Sequence, residues 1–429
     1  MEDSTTLPFL FFKTYSTSVR KIQNRLLSTP YREIFIFVIP VAILLWILLM
    51  SFVLEGSQQF SLLAQSFLHG HLNFLSPIGR LGQDPIFWHG KVYWSDGPFP
   101  AMLLMPFVAI WNVSHHFFFQ GYITWFLIVG ILFFIFKLAR ALSYSKEDSF
   151  ILTLGFALGS VFIGVASVSS SWFFAQVLTT FLLFWSFYEF YTRKHKRWWL
   201  LGLISAMILM TRSTASPVFI FFGLELWCLA GATNQKLKKF AQLSLPVVAA
   251  LILLGLYNFL RFHNPFNGGY SHQLLYPDAI ESRSFGMFSL MHIPANLYSA
   301  LLRVPNPVLR DNTSWLLKFP YIENNIYGMS IFVTSPYLIS LFSNKWSSFD
   351  ARARHLLIAA SVSALLVFSY FGIGLLQFGY RYSLDFLPEL FLLFMIMYRK
   401  KHSHLSGGMK MLLLGSGVFN FYLLVHFIL

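Results

Sequence analysis

EGSQQFSLLAQSFLHGHLNFLSPIGRLGQDPIFWHGKVYWSDGPFPAMLLMPF, residues 55–107, is the first long polar interlude in a chain that is otherwise mostly apolar. It combines carboxylates, basic side chains and histidines with aromatic residues and turn formers. The apolar run before it, at about 34–54, has the roughly 20 residues that a helix needs to cross the hydrocarbon layer of a membrane. Together the two segments predict a first membrane span followed by a structured loop outside the bilayer.

The composition of the whole chain is that of a polytopic membrane protein. Of the 429 residues, 56% are hydrophobic and only 11% are charged, whereas about a quarter of the residues in soluble domains are charged. The chain is predicted to form a single transmembrane domain over residues 1–429, without a soluble domain. We predict an all-α fold with about eleven spans, at 34–54, 117–139, 149–167, 173–191, 198–213, 215–232, 243–262, 327–343, 355–374, 383–398 and 409–428.

Membrane orientation explains most of the net charge of +14. With the N-terminus in the cytoplasm, 22 of the 31 Lys and Arg residues fall in cytoplasmic segments, as the positive-inside rule requires. Membrane lipids with anionic headgroups are their expected partners, and no nucleic-acid partner is predicted. The membrane would be a bacterial plasma membrane or, in a eukaryote, the endoplasmic reticulum. Two long segments stay outside, at about 55–116 and 263–326, and are predicted to contain short helices at the membrane interface.

Nine basic residues lie on the outer side, against this orientation bias. They are Arg80, Lys91, Arg212, Arg261, Arg283, Arg303, Arg310, Lys318 and Arg381. A bound phosphate would explain them, because a guanidinium group binds phosphate through paired hydrogen bonds as well as by charge. The alternative is that they pair with carboxylates of the same outer segments.

Two carboxylates of the quoted stretch are candidate catalytic groups. Glu55 ends the first span, where partial burial would raise its pKa and let it act as a general base; alternatively it is an ordinary interfacial glutamate. Asp96 lies in a turn, where it would position a metal or an acceptor, or cap the short helix predicted at 100–111. Near the C-terminus, Arg381 is predicted to bind phosphate. Asp385, four residues on, would orient it from the same helical face, unless the two only close a helix end.

The order of these motifs resembles the GT-C superfamily of integral-membrane glycosyltransferases. This group includes protein O-mannosyltransferases, oligosaccharyltransferases and the aminoarabinose transferase of lipid A. Besides the carboxylate that ends the first span, the likeness lies in short motifs spread over most of the chain: FLHGHL at 67–72, GKVY at 90–93, GPFP at 97–100, MTR at 210–212, NFLRF at 258–262 and GYRY at 379–382.

The resemblance implies a polyprenyl-phosphate-sugar donor and an inverting transfer to a lipid, glycan or protein acceptor at the outer face. Glu55 would be the base, and Asp96 the second catalytic residue. The substrate phosphate would be held by Arg381, Arg261, Arg212 and Lys91, with support from Asp385, Tyr380, Tyr382 and Tyr93.

A divalent metal, Mg or Mn, is a further expectation from this resemblance. Many members carry a second acidic motif between spans three and four, but here Ser167–Trp172 contains no acid, so the metal ligands are not identified. The alternative functions are a transporter or flippase of lipid-linked sugars and a non-catalytic membrane subunit.

Overall fold

The computed structural model describes residues 33–75, 84–275, 277–311 and 315–428. Arg80 and the basic N-terminal residues that helped to set the predicted orientation lie outside these ranges. Within them the fold is mostly helical, as predicted, with two small antiparallel sheets. The helices are α1 (Ile39–Val53), α2 (Gln59–Leu68), α3 (Phe99–Asn112), α4 (Gly121–Ala141), α5 (Lys146–Ala157), α6 (Phe162–Ser167), α7 (Ser171–Thr192), α8 (Trp198–Thr211), α9 (Val218–Trp227), α10 (Thr233–Phe262), α11 (Pro277–Ser284), α12 (Ile293–Leu301), α13 (Ile331–Thr334), α14 (Ala351–Ser369), α15 (Leu387–Lys401) and α16 (Gly407–Ile428). The strands are β1 (Ile86–Trp88), β2 (Lys91–Tyr93), β3 (Asn306–Leu309) and β4 (Leu317–Glu323).

Six helices of the described residues are long and apolar enough to cross a membrane. They are Ile36–Val53, which joins a π-helical turn to α1, and α4, α7, α10, α14 and α16. Each coincides with a predicted span. The other five predicted spans coincide with shorter or interrupted helices, so the predicted number of eleven is not confirmed. At 327–343, for example, α13 has only four residues and a 3-10 segment follows from Pro336, because proline cannot donate the hydrogen bond that would continue the helix.

The first outer segment contains the predicted short helices and also a hairpin. The helix predicted at 100–111 is present as α3, and Pro100 in its first turn suits a helix start. Strands β1 and β2 pair through a two-residue turn in which His89 and Gly90 both have positive φ angles. That backbone shape matches the twist of paired strands. The sequence analysis predicted only helices here, so the hairpin corrects it.

Four helices carry their Lys and Arg clusters at one end only. One cluster follows the C-terminus of α7, one occupies the last turn of α15, and two occupy the N-terminal turns of α10 and α14. The opposite ends of the same four helices meet the C-terminus of α8 and the long segments between helices. This second end of the bundle holds most of the predicted site residues.

Candidate active site

A cavity of about 290 Å³ lies where these helix ends meet. Apolar side chains of α8, α10 and α14 form part of its wall, through Leu209, Leu254 and Val367. The charged side chains that line it are Asp84, Asp96, Arg212, Arg261, Arg381 and Asp385, and the aromatic ones are Trp172, Tyr257, Tyr270, Phe288, Tyr370 and Tyr382. The cavity thus brings together charged groups that are far apart in the sequence, beside helices that can cross a membrane.

Asp96 reaches the cavity on the short loop between β2 and α3. Arg261 fastens this loop to α10, because its Nη1 donates a hydrogen bond to the carbonyl of Trp94 at 2.9 Å. Gly97 packs against the end of α8 so closely that a Cβ atom would lie 2.0 Å from the carbonyl oxygen of Met210. The loop is therefore held on two sides, which fixes the position of the aspartate between them.

The carboxylate of Asp96 has the properties of a general base. Its Oδ2 is buried and has no hydrogen-bond partner within the described part of the chain. Burial raises the pKa of Asp96 to about 6, the nearby Arg212 opposes this, and Asp84 adds to it. The group is therefore mostly ionised at pH 7, yet holds a proton more readily than an exposed aspartate, as a general base should.

Arg212 and Asp385 form a bidentate ion pair at one wall of the cavity. Arg212 Nε and Nη2 donate to the two carboxylate oxygens at 2.6 and 2.8 Å, and the hydroxyl of Thr214 donates to the same carboxylate. Asp385 therefore orients Arg212, and the predicted pairing with Arg381 is wrong. The reason is local geometry: Arg381–Asp385 forms a 3-10 helix, in which residues three apart are aligned and residues four apart are not.

Of the arginines that line the cavity, Arg381 has the weakest contacts with other polar groups of the described residues. Its side chain is buried, and among the described residues no carboxylate forms an ion pair with it. Nη1 donates only a long hydrogen bond of 3.4 Å to Gln176 Oε1, and Nε has no partner in the described ranges. The guanidinium stacks on Tyr382, 4.6 Å from the ring centre. A buried guanidinium with spare donors is suited to hold an anion.

Arg261 is held by shorter hydrogen bonds than Arg381. Besides the bond to Trp94, its Nη2 donates to Asn258 Oδ1 at 2.8 Å, and the guanidinium lies 3.7 Å from the ring centre of Tyr257. These contacts hold the guanidinium plane in one orientation. Arg261 therefore contributes positive charge to the cavity while mainly fixing the loop that carries Asp96.

Four predicted site residues do not line the cavity. Glu55 is exposed and borders a separate small cavity beside α1 and α4. Lys91 is exposed on the β1–β2 hairpin. Tyr93 is buried behind the cavity wall, and the buried hydroxyl of Tyr380 donates to Asn296 Oδ1 at 2.7 Å. The structure thus brings Asp96 together with Arg212, Arg261, Arg381, Tyr382 and Asp385, and leaves Glu55 and Lys91 apart from them.

The sequence analysis missed Asp84 and Trp172 as cavity residues. Asp84 is one of the outer-segment carboxylates that the sequence analysis treated together, as alternative partners of the basic residues. Trp172 lies in the first turn of α7 and lines the cavity with Asp84, and its indole acts to lower the pKa of the Asp84 carboxyl. Burial raises the pKa of Asp84, and the charge of Arg381 opposes this shift. The only sequence signal was the position of Asp84 in the polar stretch that also contains Asp96.

The fold and cavity together define a helical membrane protein with a cavity at one end of the bundle that is lined by arginines and carboxylates. No protein-family model and no curated protein matches the chain. Two solved structures of the oligosaccharyltransferase AglB of Archaeoglobus fulgidus are similar to it. The apo form has 12% identity and a TM-score of 0.43, and the similarity covers 92% of this chain and 56% of that one. The complex with an inhibitory peptide and a dolichol-phosphate has 11% identity and a TM-score of 0.41, covering 90% and 55%.

The chain thus spans little more than half the length of these archaeal structures. What the cavity can do chemically follows from the residues that line it, among them Asp96, Arg212, Arg381 and Asp385.

Proposed function

We propose that this protein is a membrane glycosyltransferase that moves a sugar from a polyprenyl-phosphate carrier to a hydroxyl of a lipid, glycan or protein acceptor. One observation carries the proposal: within the described residues, a cavity at one end of a membrane helix bundle holds a carboxylate with an unpartnered oxygen, Asp96, together with a guanidinium that is in no ion pair, Arg381. A transfer that releases a phosphate needs both groups, one for the incoming hydroxyl and one for the leaving charge.

The reaction assigns one task to each group. Asp96 takes the proton of the acceptor hydroxyl while its oxygen forms a bond to the anomeric carbon of the sugar. On the opposite side of that carbon the bond to the phosphate oxygen breaks, and the phosphate leaves with the electron pair. Arg381 stabilises the developing negative charge in a site of low dielectric constant. Attack opposite the leaving group inverts the anomeric configuration.

The distribution of charge supports a cavity that faces the outer compartment. The cavity lies at the helix ends opposite the Lys and Arg clusters, and such clusters favour the cytoplasm. The cavity would then face the outer compartment, where a polyprenyl chain could remain in the bilayer beside α10 and α14. The apolar residues Leu209, Leu254 and Val367 in the cavity wall support this arrangement.

No step of the proposed reaction uses a divalent metal. The described residues contain no group of three or more His, Cys, Asp or Glu side chains that could hold a metal ion, and Asp385 is engaged by Arg212. The expectation of Mg or Mn is tested by transfer measurements after chelation and after addition of either ion.

The test is a transfer assay with radiolabelled polyprenyl-phosphate sugars and purified protein in proteoliposomes. Asp96→Asn should lower kcat by a factor on the order of 100 to 10,000, because a positioned base contributes about that much. Arg381→Gln should abolish transfer and weaken donor binding. Glu281→Gln, which neutralises an exposed carboxylate of an outer segment, is the matched control and should transfer normally.

Three results would contradict the proposal. Glu55→Gln abolishing transfer while Asp96→Asn retains it would move the base to the first span. Movement of intact sugar-carrying lipid across the bilayer without transfer would favour a flippase. A correctly inserted wild-type protein without either activity would favour a non-catalytic subunit.

A further inference from the structure

Asp84 lines the cavity but has no task in the proposed reaction. Its backbone has a φ of 70°, a left-handed conformation that a residue with a side chain adopts at some cost and keeps only when its surroundings hold it. Two contacts do so: the Asp84 carbonyl accepts from Gln273 Nε2 at 3.3 Å, and the adjacent Pro85 carbonyl accepts from the Leu274 amide at 3.0 Å. The carboxylate is thus carried into the cavity on a segment tied to the second outer loop.

The surroundings of Asp84 differ from those of the ion-paired Asp385. The indole of Trp172 lines the cavity with it, and no ion pair holds Asp84 within the described residues. An ionised carboxylate accepts several hydrogen bonds and donates none, so Asp84 can accept more donors from the cavity. The aromatic rings of Trp172, Tyr270 and Tyr370 line the cavity with it. These rings offer apolar surface beside an acceptor.

A ligand that fits this wall has several hydroxyl donors on one edge and an apolar C–H face on another. Sugars combine these two features. We propose that Asp84 and Trp172 form the subsite for the sugar of the donor, in which Asp84 accepts hydrogen bonds from ring hydroxyls and the indole packs against the ring. This inference rests on the proposed function and adds the group that selects the sugar.

The charges in the cavity add to the preference for a lipid that carries a sugar. The charge of Asp84 acts on Asp96 and raises its pKa, and Arg381 lowers the pKa of both carboxyls. A polyprenyl phosphate without a sugar would bring its negative charge to Arg381 but offer no hydroxyl to Asp84. The subsite therefore favours the sugar-carrying lipid over the bare phosphate that remains after transfer.

The test compares binding of two kinds of lipid to the full chain in nanodiscs. The probes are polyprenyl phosphate and the same lipid carrying glucose, mannose or aminoarabinose. Wild-type protein should bind at least one sugar-carrying lipid more tightly than the bare phosphate. Asp84→Asn should weaken that binding on the order of tenfold to a hundredfold, since a hydrogen bond to a charged group is lost. Its binding of bare polyprenyl phosphate should be unchanged or tighter, which also reports that the variant is folded.

A second variant tests the same subsite in case Asp84→Asn does not fold. Trp172→Phe keeps an aromatic ring but reduces the apolar surface beside Asp84, so the preference for the sugar-carrying lipid should fall by a smaller factor. The inference is overturned if Asp84→Asn keeps the full preference, or if the wild-type protein binds bare and sugar-carrying lipids equally; in both cases the proposed site for phosphate still stands. If the wild-type protein binds neither lipid, the proposed function itself fails.

Discussion

Removing either partner of the Arg212–Asp385 pair should destabilise the protein by a large and measurable amount. Only 16% of the Arg212 side chain and 1% of the Asp385 side chain is exposed, and loss of one partner of a buried pair costs about 3–5 kcal/mol. At pH 7 the free energy of unfolding of Asp385→Asn, and that of Arg212→Gln, should each be lower than the wild-type value by an amount in this range. The double variant should lose less stability than the two single variants lose together, because no unpaired charge remains in it.

Equilibrium unfolding in mixed micelles, followed by tryptophan fluorescence, measures these differences. Each variant is compared with wild-type protein at the same pH, so that titration of other groups is common to both. The reasoning is refuted if the single costs add up in the double variant.

Three further predictions concern the loop that carries Asp96. Gly97→Ala should destabilise the protein by about 1–3 kcal/mol, because its Cβ would meet the Met210 carbonyl at 2.0 Å; normal unfolding in the same assay would contradict the packing. The transfer rate should fall as the pH drops through about 6, where Asp96 becomes protonated; a kcat/KM profile that stays flat between pH 5 and 8 would exclude this base. Arg261→Lys keeps the charge but loses the paired bonds to Trp94 and Asn258. It should lower kcat more than it raises the KM for the donor, and a change in KM alone would assign Arg261 to donor binding instead.

The sequence predicted the residue types of the site better than their pairing. Arg212, Arg261 and Arg381 were found because they oppose the orientation bias of the other basic residues, and all three line one cavity. The pairing of Asp385 was wrong because it assumed α-helical spacing. Whether a five-residue segment forms an α or a 3-10 turn depends on tertiary contacts, in this case with Arg212 and Thr214.

The position of Glu55 and the role of Asp84 depend on long-range contacts that no local pattern encodes. A carboxylate at the end of a span can face the bundle or its outside, and Glu55 lies on the exposed side. Asp84 reaches the cavity because Ile86 bridges to Gln273 and ties the first outer segment to the second. Hydrophobic periodicity locates helices well, but it contains no information on which loops meet above them.

The ion pair between Arg212 and Asp385 joins residues 173 positions apart, and this has a consequence for biosynthesis. At ordinary rates of translation, Asp385 follows Arg212 out of the ribosome after roughly 10–35 s. During that time α8 already exists, while the carboxylate that neutralises its terminal arginine has not been made. The guanidinium must remain in water or among lipid headgroups until Asp385 arrives, close to the end of the 429 residues. The cavity is therefore completed late, and a chain that stops before Asp385 would expose an unpaired charge that quality-control proteases can recognise.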